Sequence, residues 1–426
     1  MLSVAMSNKP LAYDSVKAVF LRMDPNLRIK LSDRVPGIRT AEKNVPLFVG
    51  ILNLSSYGTK INDTEYAVDC VLTDPLKDYM KRDDHKLLAP FDLTRYGARD
   101  YSVDDEIWPG DAVLPRTESY KIRREIDEEK LNVVKERLAT GELTLKESSQ
   151  TYLSFEIKHR IQDQEDQVIQ TERLDYSRSL AGAVKYMNNK LLGGRQHAIR
   201  VSDYFEGFEA DLPVLRLPAG LKLKTKRWTI QNNVEEVNIA FQDIIDEESF
   251  PLDDLILDGR AEISTRIENY QHPIARSAKY LTFECWDPTE NWLEVLLGVK
   301  NSQCQFECAI PRNAIKQAVD VWTREGKEIG SNFLFLIKKE EDVRFLMDEF
   351  QQQENSLVER IATLGCTTFP DTIILPLKNK CEIIIFCVET EKKCLYRYSR
   401  WQLWVLFSSK EHYTTWNILF WKNVFK

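Results

Sequence analysis

Residues 211–260 read DLPVLRLPAGLKLKTKRWTIQNNVEEVNIAFQDIIDEESFPLDDLILDGR. Short alternating apolar runs lie at both ends, bounded by Pro, Gly and Asn, and between them Val234, Val237, Phe241 and Ile244 recur at helical spacing. The spacing predicts strand, helix, strand. Similar units come after it. Strand-like cores fall near Leu223–Ile230, Leu252–Leu257, Tyr280–Cys285, Cys304–Cys308 and Phe333–Ile337. Helix-patterned runs separate them: Ile263, Ile267 and Tyr270; Trp292, Leu296 and Val299; Ile315, Ala318, Val319 and Trp322. The last strand leads into a predicted long helix carrying Val343, Leu346, Met347, Phe350, Leu357 and Ile361, ended by Gly365. A strand-helix unit every ~23 to 32 residues overlaps the period of leucine-rich repeats, and Leu252-Asp253-Asp254-Leu255-Ile256-Leu257 fits their L-x-x-L-x-L pattern. The preferred architecture is an irregular leucine-rich-repeat-like βα array, with a single open α/β sheet as the alternative.

Before the array, Leu180, Val184, Met187 and Leu191 stripe one face of the best-patterned helix, which Gly193-Gly194 should stop. A strand, YLSFEIKHRI, precedes it, and from Thr117 to about Gln150 a charged run with Ile122, Ile126, Val134 and Leu138 reads as an exposed bridging helix. Residues 47–115 are strand and turn material, exemplified by LFVGILNLSS and EYAVDCVL. Residues 11–48 read as three short helices. Val16, Val19, Phe20 and Met23 share a face of the first, Asp24-Pro25 starts the second, and Pro36-Gly37 breaks it. So short a module must lean on the next part of the chain or on a partner.

The fold class is therefore α/β, or α+β over the whole chain. Its expected parts are a helical unit at 10–48, a β-rich region with the charged helix at 49–150, the βα array at 151–366, and an aromatic-rich extension at 367–426. The extension either adds edge strands or offers its apolar surface to a partner.

With 426 residues, 43% hydrophobic and 29% charged, the chain has globular composition. A net charge of −8 argues against nucleic acid or an anionic membrane as partner. No apolar run approaches the ~20 residues that span a bilayer, and MLSVAMSNKP has no signal-peptide pattern. Eight irregularly spaced cysteines then fit a reducing cytoplasm or nucleus.

No reaction emerges from the residues. Cys304 and Cys308 could ligate zinc, but with Phe306 between them they read as one buried strand face. Cys381, Cys387 and Cys394 lack paired spacing. Asp83-Asp84-His85 sits in a solvated charge run, and His159 and His197 have no nucleophile partner. Gly193-Gly194-Arg195 could hold an anion, although a helix stop explains both glycines. Asp243, Asp246, Glu247 and Glu248 read as turn-forming. No catalytic residue, cofactor or metal is expected.

LLGGRQHAIRVSD, LPVLRLPAGLKLKTKRW, ESFPLDDLILDG, AKYLTFECWD and VWTREGKEIGSNF, with INDTEY, RYGAR and PGD (Pro109–Asp111), together resemble a nematode-expanded family of uncharacterised proteins. Its members share a domain of unknown function, often beside an F-box-like N-terminus. The resemblance covers Leu11 to Phe350. The first forty residues resemble an F-box through Leu11, Val16, Phe20, Met23, Pro25, Leu27 and Leu31, although the motif's early proline is Ala12 and its third-helix tryptophan is absent. The resemblance implies that these seven residues bind a Skp-type adaptor of a cullin-containing ubiquitin ligase. A βα array would then present a surface to an unknown target protein.

Overall fold

The computed structural model describes residues 13–73, 86–116, 118–144, 151–159, 167–175, 179–207, 213–259, 266–285, 292–360, 368–369, 371–377, 381–389 and 401–409. The expected Leu11, Asp83-Asp84-His85, Cys394 and the aromatics beyond Ser409 lie outside these residues. Two compact units divide the chain: Met1–Lys226 with Glu236–Ser249, and Arg227–Glu235 with Phe250–Lys426. The helical unit, the β-rich region and the start of the expected array therefore fall in one unit.

The first unit opens with α1 (Tyr13–Arg22), α2 (Pro25–Arg34) and α3 (Arg39–Lys43). Asp24 caps α2 by accepting from the Leu27 amide, and Pro25 occupies the first turn, where its missing N–H costs nothing. Strands β1 (Phe48–Leu54), β2 (Gly58–Ile61), β3 (Thr64–Thr73) and β4 (Lys86–Ala89) come next as an antiparallel run. After the short β5 (Ala112–Val113) comes the predicted charged helix, α4 (Glu118–Ala139). Its seam differs from the expected stripe. Ile122 and Ile126 are exposed, whereas Val134 is buried as the stripe requires and Tyr120, outside the stripe, is buried too. Tyr120 packs edge-on against Tyr101, with ring centroids 5.7 Å apart, and its hydroxyl donates to Asp104.

β6 (Thr151–His159) pairs with β3 on one side. On the other lies β7 (Gln167–Asp175), a polar strand that the apolar pattern did not announce. Then comes α5 (Leu180–Leu191), with Leu180, Val184, Met187 and Leu191 buried as its stripe requires. Gly194 lies just beyond it at φ +67°, the left-handed conformation that stops a helix. β8 (Ile199–Gly207) runs parallel to both β1 and β10 (Leu223–Thr225), while β9 (Val214–Leu215) pairs with β5.

In the second unit, β11 (Arg227–Ile230), β12 (Asp254–Gly259), β13 (Tyr280–Cys285), β14 (Gln303–Phe306) and β15 (Asn332–Ile337) form consecutive parallel pairs. α6 (Val234–Phe241) falls between β11 and β12 in the chain. The later crossovers carry α7 (Ile267–Tyr270), α8 (Pro273–Ser277), α9 (Trp292–Gly298) and α10 (Arg312–Glu325). Strand alternation divides this sheet chemically. One face holds Leu255, Leu257, Leu281, Phe283, Cys304, Phe306, Phe333 and Phe335, all buried. α10 covers it, with the Trp322 ring 4.5 Å from that of Phe333. Cys304 and Cys308 sit in this core, as expected, and burial pushes the Cys304 thiol up to about 12.

α11 (Glu340–Gln351) is shorter than expected. Asn355 turns the chain at φ +64°, and Leu357, the next apolar residue in the helical period, begins β16 (Leu357–Arg360) instead. The described stretches of the aromatic extension include further strands. β17 (Asp371–Pro376), β18 (Cys381–Glu389) and β19 (Trp401–Ser409) form an antiparallel run, with β16 beside β17 and β19 beside β15. No described helix is long and apolar enough to cross a membrane.

Candidate functional site

The helical unit carries every described residue of the expected adaptor face, but the fold divides that face. Phe20 is 2% exposed and forms the unit's own core with Ala41 and Val45. Val16, Met23 and Leu31 pack half-buried against that core, and Pro25 is buried at the start of α2. Three helices this short must turn apolar side chains inward to hold together, and here that removes Phe20 and Pro25 from any exposed surface. Leu27, at 55% exposure, does face outward, as do Val19, Leu21 and Val35.

A buried charge cluster joins the unit to the rest of its half. Glu42 on α3 is completely buried. Its Oε1 accepts from Arg28 Nε and from Arg195, both at 2.8 Å. Arg28 also donates to the Pro46 carbonyl at 2.7 Å and to the Glu42 carbonyl at 2.6 Å, while Arg195 reaches Leu191 O. Lys43 adds a third cation, 3.9 Å from Glu42 Oε2, and donates to the Lys190 carbonyl at 3.0 Å. Asn26 donates to Ile61 O and accepts from the Tyr66 hydroxyl. The helices are thus built into the strands and α5. Arg195, just after the Gly193-Gly194 helix stop, points inward to Glu42.

Burial lowers the pKa of Arg28 and Arg195, although Glu42 opposes the shift. Lys43 falls to about 8, first through burial and then through repulsion from Arg195. The folded state therefore releases this proton before the unfolded state does. Stability contributed at Lys43 should be lowest below pH 8 and rise as pH climbs from about 8 towards the unfolded value of ~10.4. Urea melts across that range should show wild type gaining about 2 kcal/mol relative to Lys43→Met. A flat difference would mean that Lys43 is not desolvated.

The PGD and LPAG motifs meet at a second cluster. Gly110 adopts φ +89°, and a Cβ there would come within 2.5 Å of the Ala219 amide nitrogen, so only glycine allows the close approach. Next to it, buried Asp111 accepts from Lys185 at 2.6 Å and Arg216 at 2.7 Å. Arg216 also stacks over Trp108. Asp92 accepts from the Leu180 and Ala181 amides, placing an anion at the N-terminus of α5. These residues serve the fold.

The other concentration of polar chemistry lies on the second face of β11–β14. Register aligns Thr229, Ile256, Thr282 and Gln305 in one row across the four strands. Asp254 and Asp258 flank Ile256 two residues either way on the same side. Thr282 Oγ1 donates to Asp254 at 3.2 Å, Gln231 donates to Asp258 at 3.1 Å, and Gln305 donates to Glu307. Burial raises the pKa of Asp254, opposed by the Thr282 bond and Arg227. It also raises that of Glu307, and Asp254 adds to the rise. Among the described residues, no group of His, Cys, Asp or Glu is placed to hold a metal ion. The face escaped sequence reading because its acids alternate with core residues and look solvated one strand at a time. Asp246 and Glu248, by contrast, do form a turn, with Asp246 Oδ1 accepting from the Glu248 amide.

No curated protein and no solved structure matches the chain. Residues 179–339, from the cap of α5 to just past β15, match the model of a domain of unknown function (DUF3557).

Proposed function

We propose that the protein is a non-catalytic interaction protein whose N-terminal helices dock a partner through their outer apolar residues. The observation that carries this reading is the outward set Val19, Leu21, Leu27 and Val35 on helices whose inner side is fixed by Glu42. The F-box resemblance makes a Skp-type adaptor the partner, and the protein a receptor linking an unknown target to a ubiquitin ligase. The irregular spacing of the eight cysteines supports a reducing cytoplasmic or nuclear setting.

Deleting residues 1–48 would remove Arg28 and Glu42 and leave Arg195 buried without its carboxylate, so loss of binding would report misfolding. Leu21→Glu with Leu27→Glu avoids this. Both sites are solvent-facing, and stability should move by less than about 0.5 kcal/mol per substitution. Co-purification with the adaptor should disappear; undiminished capture would overturn the reading. A second reading is a stand-alone scaffold with no ligase link. It is favoured by the hydrogen bonds of Asn26 and Lys43, which make the helices part of the first unit.

A further inference from the structure

We infer that the polar face of β11–β14 in the second unit binds the ammonium or guanidinium groups of a basic protein segment. This deepens the interaction reading by naming the chemistry of a target. It shares no residue with the adaptor surface, so either can fail alone.

The face is acidic by construction. Asp254, Asp258 and Glu284 alternate with core residues along β12 and β13, Glu307 follows directly after β14, and the only basic residue within the four strands, Arg227, is in register with Asp254. It is also partly dehydrated: Asp258 is 4% and Thr282 5% exposed, so a charge placed there is weakly screened.

A second observation points to a ligand. Thr229 heads the row that continues through Ile256, Thr282 and Gln305, and lies on the side opposite Trp228 and Ile230. It is 1% exposed, yet its Oγ1 has no hydrogen-bond partner. Buried hydroxyls are nearly always satisfied, so one left open in a polar row marks a place where an incoming donor can bind.

The spacing selects the kind of cation. A small divalent ion needs several oxygens converging within bonding distance. The acids here are instead spread over neighbouring strands and do not converge among the described residues. An ammonium with three donors, or a guanidinium with five, spans such an array and can be satisfied by carboxylate, amide and hydroxyl together.

Calorimetric titration of the full chain with pentalysine, spermine and pentaglutamate tests this. Pentalysine should bind, pentaglutamate should not, and Asp254→Asn with Glu307→Gln should weaken pentalysine by about tenfold or more. Glu247→Gln with Glu248→Gln removes the same charge from an exposed turn and should leave binding unchanged. If the first pair of substitutions fails to fold, Thr229→Val decides alone, with a loss of about threefold expected. Equal weakening by both pairs, no effect of Thr229→Val, or no pentalysine binding would overturn the proposal. Tighter binding of spermine than of pentalysine would overturn a protein segment as the source of the cation.

Discussion

Glu42→Gln is expected to destabilise the first unit by roughly 3–5 kcal/mol, the usual result of removing one partner from a buried ion pair. The substitution keeps the shape of the side chain and removes only its charge. Arg28 and Arg195 would then remain buried and close enough to repel, with Lys43 beside them. The backbone carbonyls of Glu42, Val45, Pro46 and Leu191 would still accept from the two arginines, which keeps the loss finite. Equilibrium urea denaturation measures it. Adding Arg195→Met to Glu42→Gln should recover part of the loss, because one stranded cation goes while an apolar stem remains. A loss below about 1 kcal/mol would show that solvent reaches the cluster and screens it.

This cluster also marks the limit of what the sequence could disclose. The elements legible in advance rest on neighbouring residues. Asp24-Pro25 specifies its own helix start, Leu180 to Leu191 its own buried stripe, and Gly194 its own left-handed turn. The strands β11–β15 were visible because each is a short apolar run between breakers. Glu42, Arg28 and Arg195 are different, since they come from α3, α2 and the loop after α5, and each alone resembles an ordinary surface charge. The same physics hid the site face. Asp254 and Glu307 become neighbours only once the parallel register is set.

One misreading of periodicity has a similar origin. Leu357 continues the apolar rhythm of α11 closely enough to extend it on paper, but its backbone pairs with Ile374 of β17, a partner that helical spacing cannot reveal. In the extension, where edge strands were one of the two expectations, Trp401, Trp404 and Phe407 showed no helical or repeat pattern because β19 sends successive residues to opposite sides. Trp404 packs with Phe386 on one side, and Phe407 meets Trp322 and Phe333 on the other. β7 carries only Val168, Ile169 and Leu174 among polar residues, with no alternation to mark a strand. Its QVIQTERLD is held by backbone pairing to β6.

Phe306→Ala should damage the second unit about as much as Glu42→Gln damages the first, through packing instead of charge. The Phe306 ring lies between those of Phe283 and Phe335, at 5.1 and 5.2 Å and nearly parallel to both. Trp292 meets it edge-on at 6.1 Å. Register places the three phenylalanines opposite one another on β13, β14 and β15, so the stack cannot close over a missing ring unless three strands move. Loss of the buried ring and the cavity left behind together cost roughly 3–5 kcal/mol. Phe306→Leu refills much of the volume and should cost less than half as much, about 1–2 kcal/mol. Thermal unfolding of the three proteins should therefore rank wild type above leucine above alanine. The alanine protein should also lose near-ultraviolet dichroism from the ordered rings. An alanine protein within about 1 kcal/mol of wild type would mean that the parallel strands slide to refill the core, which the hydrogen-bonded register argues against.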